Sequence, residues 1–403
     1  MDKKYSLRST LTLMLLASAL TCLVIALIFG RQLRESVGRS DTVREYAVLL
    51  EKIEEYFIGQ YDESEVSTAA MKAAVAALGD RWSYYMTPVE YARFLDDSSN
   101  RYSGIGVGVA TDQETGGIMV RYVYRSSPAE AAGVNAGDVI TAVDGISVIG
   151  CDISELRTLL ARPVGDTVDL SVLRPGGYVR VITVEYNVIF TDPVSYEMLD
   201  SGVGYVAIKN FEQDAALSLI SAVEGLIESG ARAFIFDVRG NGGGRVSELT
   251  AILDFILPEG DIFVAVDRHG TETITRSDPE SIDLPMVVLV DRYSFSAAEY
   301  FAATLREFGR ADIVGEQTTG KSRMQTTIAL PGGGALHIST DQYLTKNRIS
   351  LHDVGGVVPD HVVTLTEEEF AQRISGNLNK DQDPQLQMAL LVLTKHENSS
   401  IIH

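Results

Sequence analysis

The hydrophobic pattern divides the chain into stretches of different character. After Lys3, Lys4 and Arg8, residues 9–30 are apolar and uncharged, a run long enough to cross a bilayer as one helix. A cleaved signal peptide and a lipid-modified Cys22 are the competing interpretations. The uncleaved anchor is favoured because the apolar run continues past the cysteine and no A-x-A site follows it. Residues 1–39 are therefore predicted to be a tail and a transmembrane helix.

A region with helical periodicity follows. Between Thr42 and Phe57 apolar side chains recur every three or four residues, and a second helix is predicted from Val66 to Leu78, ending before Gly79. Residues 40–98 are therefore predicted to form a helical region. It either packs on the rest of the chain or pairs with a second copy in a homodimer, and the pattern does not separate these alternatives.

From Tyr102 onward short strands replace the helical pattern. Residues 99–187 read as strands with one or two helices, one of them near Ile153–Leu160, and residues 187–193 read as a linker. Beyond it, strands alternate with helices, which is typical of an α/β layer structure. The predicted fold class is a multidomain α+β and α/β protein with domains at 99–187 and 188–370 and a helical tail at 371–403. The clearest helices are Ala215–Glu228, Val246–Phe255 and the one that begins near Pro384.

Composition narrows the classes of function. With 403 residues, 45% of them hydrophobic, the chain can build several packed domains. The net charge of −21 argues against a nucleic-acid partner. Cys22 and Cys151 are too few and too far apart for a disulfide framework. No cluster of candidate ligands has zinc-like spacing, so neither a metal nor another cofactor is predicted.

Two serines lie where a strand turns into a helix. The apolar stretch LPMVVLVDR precedes YSFSAAEY, which contains Ser294 and Ser296. A nucleophilic serine needs a base, and none of the six histidines lies in a recognisable triad context. A lysine can serve if burial makes it neutral, because the pKa of a free lysine is about 10.4. Lys321, after Thr-Thr-Gly, is a candidate, although this position by itself favours a solvated loop lysine.

Two glycine-rich segments suit the binding of negative charge. Phe236–Gly244, FDVRGNGGG, reads as a strand that ends in a loop able to present backbone N–H groups to a developing oxyanion. Gly104–Val107, GIGV, is a second such loop, where N–H groups converge on an anion without a Cβ in the way.

Together the motifs resemble the C-terminal processing peptidases, also called tail-specific proteases. The resemblance covers roughly residues 40–395 and is most specific from the serine stretch through GRADIVGEQTTGKSRMQ. It implies a PDZ domain ahead of a crotonase-like α/β peptidase core. It implies that Ser296 is the nucleophile, Lys321 the general base and Gln325 the residue that orients the lysine. Gly243 and Ala297 match the oxyanion donors. Ser294 is predicted to be structural, as a cap.

The segment Gly133–Val148, GVNAGDVITAVDGISV, resembles a PDZ domain in particular. Such a domain adds an extended peptide to a sheet edge and holds its terminal carboxylate. The resemblance assigns that carboxylate loop to Gly104, Ile105, Gly106 and Val107. It also suggests a gating role for Arg162, for which an ordinary surface arginine is the alternative.

The function implied is that of a single-pass, membrane-anchored serine endopeptidase. Its catalytic part would lie outside the cytoplasm of a bacterial cell and act on proteins or peptides with accessible C-termini. A non-catalytic PDZ adaptor and a crotonase-like enzyme acting on thioesters are the alternatives. Three residues depart from the family pattern: Phe295 and Ala298 replace small or serine residues, and Gly242 replaces a proline. Phe295 is expected to reshape the pocket, and Gly242 to loosen its loop.

Overall fold

The computed structural model describes residues 41–112, 114–174, 176–200 and 202–400. The segment predicted to cross the membrane, residues 9–30, lies outside these ranges. Within them, no helix is both long enough and apolar enough to span a membrane. The chain divides into two compact units, Met1–Ala70 and Met71–His403.

The predicted helices of the N-terminal region are present. Residues 41–56 form helix α1, and α2 runs over Glu63–Ala76, beginning in the first unit and continuing into the second. The side chain of Asp62 accepts a hydrogen bond from the Ser64 N–H at 2.7 Å, which satisfies one of the unpaired donors at the start of α2. The sequence prediction placed this start three residues late because it followed the apolar period and not the cap.

A short strand and a capped helix open the rest of the second unit. Strand β1 spans Tyr84–Met86 and α3 spans Pro88–Ser98. Thr87 and Glu90 form a capping box at the start of α3, in which each side chain accepts from the other's backbone N–H. This fixes where β1 ends and the helix begins.

An antiparallel sheet in the order β3-β4-β5-β7-β8 forms the next part, with β6 paired to β5. Apolar side chains such as Ile118, Leu170 and Val172 fill its core. The predicted linker is wrong over residues 187–190, which form strand β9 and pair with β2. The elements are β2 Arg101–Gly104, β3 Val107–Thr111, β4 Ile118–Val123, α4 Pro128–Ala132, β5 Val139–Val143, β6 Ile146–Ser147, α5 Ile153–Leu159, β7 Thr167–Leu173, β8 Val179–Glu185 and β9 Asn187–Phe190.

The largest core is built on a six-stranded sheet in the order β10-β11-β12-β15-β16-β19. Its first pair is antiparallel and all the others are parallel. Side chains alternate between its faces, so that Phe234 and Phe236 meet one cluster and Ile235 another. The elements are β10 Val194–Met198, β11 Val203–Ile208, α6 Ala215–Glu228, β12 Ala233–Asp237, α7 Val246–Ile256, β15 Met286–Val290, α8 Ala297–Glu307, β16 Ala311–Gly315 and β19 His361–Val362.

Helices cover both faces of this sheet. Residues of α6, α7 and α8 pack on the Phe234 side. The C-terminal helix α10, Pro384–Ser400, buries Leu386, Ala389, Val392 and Leu393 on the Ile235 side. Burial on both faces explains why β12 and β15 are apolar along almost their whole length, with no alternation of polar residues.

Beside the six-stranded sheet lies an antiparallel sheet of five strands, called here the second sheet. Its order is β1-β18-β13-β14, and β17 pairs with β18. Its strands are β13 Gly260–Asp267, β14 Glu272–Ser277, β17 Arg323–Ala329 and β18 Ala335–Leu344. The remaining elements are α9, Glu367–Ile374, and the short 3₁₀ turn Lys380–Gln382.

Three loops leave the parallel sheet at one edge because β12, β15 and β16 are adjacent and run in the same direction. The buried carboxylate of Asp291 joins two of them: it accepts from the Gly240 N–H at 2.9 Å and pairs with Arg373 at 2.6 Å. Nearby, Arg239 pairs with Asp237 at 2.6 Å and with Asp383 at 2.9 Å. Buried charge pairs thus tie the C-terminal segment to the base of the loops.

Candidate active site

The turn between β15 and α8 holds Ser296 in an unusual conformation. Ser296 has φ 60° and ψ −123°, a region that residues with a Cβ rarely adopt, and Ala297 begins the helix directly after it. Such strain at a strand-to-helix turn exposes a side chain at the end of a sheet. Ser296 is partly exposed and lines a cavity.

The hydroxyl of Ser294 is placed differently. It is fully buried, donates to the Val238 carbonyl at 2.8 Å and accepts from the Asp291 N–H at 3.0 Å. These bonds fasten the serine turn to the end of the neighbouring strand β12. The position of Ser294 is therefore that of a structural residue.

Glu299, in the first turn of α8, joins the serine turn to the loop after β16. Its buried carboxylate accepts from the Ser296 N–H at 3.0 Å, the Lys321 N–H at 2.9 Å and the Gly320 N–H at 2.6 Å. The Thr318 hydroxyl is a further donor to it. Burial raises the pKa of Glu299, while the four hydrogen bonds oppose that rise. One carboxylate thus sets the spacing between the backbones of Ser296 and Lys321.

Lys321 is largely removed from water. Burial lowers the pKa of its amine to about 8, against the opposing attraction of Glu299 and Asp80. Its carbonyl accepts a hydrogen bond from the Tyr343 hydroxyl. The phenol of Tyr343 also lies beside the hydroxyl of Ser296. Tyr343 therefore links the lysine loop to the serine from the second sheet.

The glycine-rich loop after β12 touches the serine turn. A Cβ on Gly243 would lie 2.7 Å from the Cβ of Ser296, so only glycine permits this approach, and Gly243 has φ +95°. The Gly243 N–H donates to the side-chain oxygen of Asn241 at 2.7 Å. Ala297 contributes one of the first N–H groups of α8, which have no acceptor within the helix.

These groups share a cavity of about 500 Å³. Ser296, Ala297, Lys321 and Gln325 all contribute to its wall, beside Gly242 and Gly244 of the glycine-rich loop. Much of the remaining wall is apolar, which suits an extended peptide with apolar side chains. It includes Phe94, Leu95, Val246, Leu249, Phe263 and Met324.

Comparison with known proteins agrees with this geometry. The profile of peptidase family S41 matches residues 202–363, and that of the PDZ domain matches residues 119–174. A carboxyl-terminal-processing protease of Synechocystis sp. is 30% identical over 348 residues, which are 84% of this chain and 80% of the relative. The corresponding protease of Picosynechococcus sp. is 31% identical over 336 residues, which are 81% and 79% of the two chains. The chain belongs to the carboxyl-terminal-processing protease family.

The protein is thus a serine-type C-terminal processing peptidase, with a PDZ domain and an S41 peptidase core of α/β type. Its relatives include bacterial and chloroplast proteins. Among solved structures, one described as an S41 protease of Bacteroides fragilis has the same fold. Its TM-score is 0.57 at 19% identity, and the match covers 84% of this chain and 93% of the other.

Gln325 of the peptidase lies in the cavity without bonding to Lys321. Its side-chain N–H groups donate to the Arg323 carbonyl at 2.9 Å and to the Ser339 hydroxyl at 3.0 Å. A register shift between Met324 and Gln325 in β17 accompanies this arrangement. The role of Gln325 in orienting the lysine remains a prediction.

The loop Gly104–Val107, which is predicted to bind a terminal carboxylate, leads directly into β3, against which α5 packs. Its carbonyl groups are engaged inside the domain: that of Ile105 accepts from the Ala129 N–H and that of Gly106 from the Tyr124 N–H. Gly106 has φ +79° and abuts Ser127. Gly104 and Val107 end β2 and begin β3.

Arg162 is held within the PDZ domain. It pairs with Asp144 and donates to the Thr167 carbonyl at 2.7 Å. It does not line the cavity that contains Ser296. Its gating role therefore rests on the resemblance alone.

His337 lines the same cavity, although its place in the sequence gave no sign of this. Its ring contacts those of Tyr84 and Phe94, with centroids 4.8 and 5.6 Å away, and its Nδ1 forms a hydrogen bond with the Thr327 hydroxyl at 2.8 Å. Burial, assisted by the charge of Lys321, lowers the pKa of His337 to about 4. The imidazole is therefore neutral at physiological pH and forms part of the wall.

Glu299 is expected to control the geometry of the peptidase. Glu299→Gln replaces one acceptor oxygen by an NH₂ group that faces backbone donors, so we expect kcat/KM to fall roughly 10- to 100-fold. The melting temperature should fall as well, because buried N–H groups lose their acceptor. Glu307→Gln, at the far, partly buried end of the same helix, is the matched control for kcat/KM, since Glu307 accepts from the Asn347 N–H and does not line the cavity. Equal kinetics for both variants would show that Glu299 does not set the spacing.

Proposed function

We propose that the protein is a Ser/Lys endopeptidase in which Ser296 attacks a peptide carbonyl and Lys321 takes its proton. The observation that carries the proposal is the convergence of Ser296, a largely buried Lys321 and the glycine-rich loop on one cavity. With a pKa of about 8, about one Lys321 amine in ten is neutral at pH 7. That fraction is sufficient for a general base.

The reaction then proceeds by acyl transfer. The neutral amine of Lys321 accepts the hydroxyl proton as Ser296 Oγ bonds to the carbonyl carbon. The ammonium that results returns a proton to the leaving amine, and an acyl-enzyme remains. Lys321 next takes a proton from a water molecule as the water oxygen bonds to the acyl carbon. The ammonium returns that proton to Ser296 Oγ as the ester bond breaks, which releases the new C-terminus and restores the free serine. Gln325 is proposed to orient Lys321 during these steps.

Gly243 and Ala297 are the proposed oxyanion donors. Their support is the contact of Gly243 with Ser296 and the free helix start at Ala297. Since the Gly243 N–H donates to Asn241, the oxyanion would replace Asn241 as its acceptor. Both donors would therefore point at the oxyanion only when a substrate carbonyl is bound.

The PDZ domain is proposed to bind the C-terminus of the substrate. Gly104, Ile105, Gly106 and Val107 would receive the terminal carboxylate, and the chain would pair with β3. We assign residues 99–187 to this domain, 188–370 to the peptidase core and 371–403 to the tail, after the helical region 40–98. Arg162 would couple the domain to the catalytic site.

The proposed location is a bacterial cell membrane, with the catalytic part outside the cytoplasm. Its support is the apolar segment at residues 9–30. Protein and peptide substrates with accessible C-termini are the proposed partners. Pairing of two copies through residues 40–98 is proposed because α1 carries apolar side chains along its length.

The test uses the full-length protein, unstructured casein, and a peptide with an apolar C-terminus prepared as free acid and as amide. We expect cleavage of casein, and of the free acid roughly 10- to 100-fold faster than the amide, because amidation removes a charge-assisted hydrogen-bond acceptor. Equal rates for acid and amide would remove the proposed binding of a terminal carboxylate by the PDZ domain and leave the protease activity unaffected. Failure to cleave casein and both forms of the peptide would overturn the proposal that the protein is an endopeptidase.

A further inference from the structure

The amine of Lys321 faces two aromatic rings outside the Ser/Lys pair. Nζ lies 4.6 Å from the ring centroid of Trp82 and 5.9 Å from that of Phe295. The two rings are 5.7 Å apart and tilted by 30°, so they contact one another. Neither ring is among the side chains that line the cavity with Ser296. The lysine amine therefore lies between that cavity and an aromatic pair.

Phe295 also explains the residue at position 242. A Cβ added to Gly242 would lie 2.9 Å from Cζ and 3.3 Å from Cε1 of the Phe295 ring. The two segments cannot simply separate, because the Phe295 N–H donates to the Asn241 carbonyl at 3.1 Å. The two departures from the family pattern are therefore one feature in space: the ring of Phe295 occupies the volume of a side chain at 242.

Trp82 is held in place from the second sheet. The carboxylate of Asp80 accepts from the Ser83 hydroxyl at 2.6 Å and pairs with Arg323 at 3.2 Å. The Ser83 hydroxyl in turn accepts from the Ser339 N–H at 3.0 Å. The segment 80–83 is thus attached to β17 and β18, of which β17 follows Lys321 and carries Gln325.

We propose that Trp82 and Phe295 form an aromatic cover that keeps water from the amine of Lys321, and that position 242 is glycine to make room for this cover. The proposal rests on the proposed role of Lys321 as general base. Trp82 and Phe295 would act through Lys321 and so are positioning residues.

Two effects of the cover oppose each other. An aromatic face attracts a cation and so favours the ammonium, whereas exclusion of water favours the neutral amine. Charges from each packed element also act on Lys321: Glu299 and Asp80 favour the ammonium, Arg81 disfavours it, and neutral His337 lies on the cavity side. Because burial is the dominant influence on Lys321, removal of a ring should on balance favour the charged form.

The first experiment measures Lys321 directly, without relying on proteolysis. In full-length protein carrying Ser296→Ala, competitive labelling with acetic anhydride at several pH values gives the pKa of Lys321 by mass spectrometry. We expect Trp82→Ala and Phe295→Ala each to raise it by about one pH unit. Trp82→Leu, which keeps an apolar cover and removes the ring face, should leave it at or below the parent value. An unchanged pKa in both alanine variants, or equal shifts for Trp82→Ala and Trp82→Leu, would overturn the proposal.

The second experiment tests whether the effects of substitutions at Gly242 and Phe295 are non-additive, as expected if the two residues act through one contact. Gly242→Ala alone should displace the Phe295 ring. The pKa that governs the acid limb of the kcat/KM profile should then rise, so that activity at pH 7 falls roughly tenfold. In the Phe295→Ala background the same change should have little further effect. An equal loss in both backgrounds would remove Gly242 from the proposal.

The two readouts separate this inference from the proposed function. If the ring variants shift the labelling pKa of Lys321 but the parent cleaves no substrate, the aromatic cover is supported and the proposed Ser/Lys mechanism is rejected. If proteolysis depends on Lys321 but removal of either ring leaves its labelling pKa unchanged, the Ser/Lys mechanism is supported and the aromatic cover is rejected. Melting temperatures identify any variant that fails to fold. If Phe295→Ala is one of them, Trp82→Ala carries the alanine test, and Phe295→Leu, which keeps an apolar cover, should leave the pKa of Lys321 at or below the parent value.

Discussion

Ser296→Ala is expected to abolish cleavage of casein and peptides, with kcat reduced by about 10⁴-fold to 10⁶-fold. The variant removes the attacking oxygen and leaves the turn intact, since the backbone of Ser296 is held by Glu299. The residual rate would come from the oxyanion donors and substrate binding. The measurement is single-turnover cleavage of a fluorogenic peptide by the full-length protein.

Ser294→Ala is the matched control because it removes the same group two residues away. The Ser294 hydroxyl makes buried bonds to Val238 and Asp291, so its loss should lower the free energy of unfolding by about 1–3 kcal/mol. We expect a lower melting temperature and kcat within about tenfold of the parent, since no reacting atom is lost. The opposite result, activity lost in Ser294→Ala and kept in Ser296→Ala, would exchange the two roles.

Lys321→Met is expected to lower the cleavage activity by about 10⁴-fold because it removes the general base. In the parent, the neutral amine is the active form, so activity should rise with pH and level off above the pKa of about 8. At pH 6 it should be about 1% of the plateau. Lys209→Met, which changes an exposed lysine, is the control. A flat pH profile between 6 and 9 would argue against Lys321 as the base.

The same variant is expected to be more stable than the parent. A lysine with a pKa of about 10.4 in the unfolded chain and about 8 in the folded one costs the fold about 3 kcal/mol at neutral pH. The sign follows from proton binding: between these values the unfolded chain binds more protons, so the parent gains stability as the pH rises. Lys321→Met should melt higher at pH 7, and the difference should shrink toward pH 10.

Local patterns in the sequence were enough to predict the helices of the core. The prediction for α6 was correct at both ends, and that for α7 was one residue short, because their apolar residues follow the helical period. Strand β9 was interpreted as a linker because its partner β2 lies far away in the sequence. A single sequence contains no signal for such a pairing, since the pairing depends on the closure of the domain between the two strands.

The site was predictable only where its residues follow one another. The motifs that contain Ser296, Lys321 and the glycine-rich loop follow three adjacent parallel strands, and the structure brings them together. Tyr343, His337 and Trp82 reach the site from other segments, and no local pattern marks them. Phe295 and Gly242 were read as two separate departures because their contact exists only in space.

The burial of α10 has a consequence for any shortening of the chain. The residues from Leu386 to Leu393 belong to a helix that covers one face of the parallel sheet. A chain that ends before Leu386 would leave that apolar face open to water. Truncation there should therefore destabilise the peptidase core, although it removes no residue that lines the cavity with Ser296.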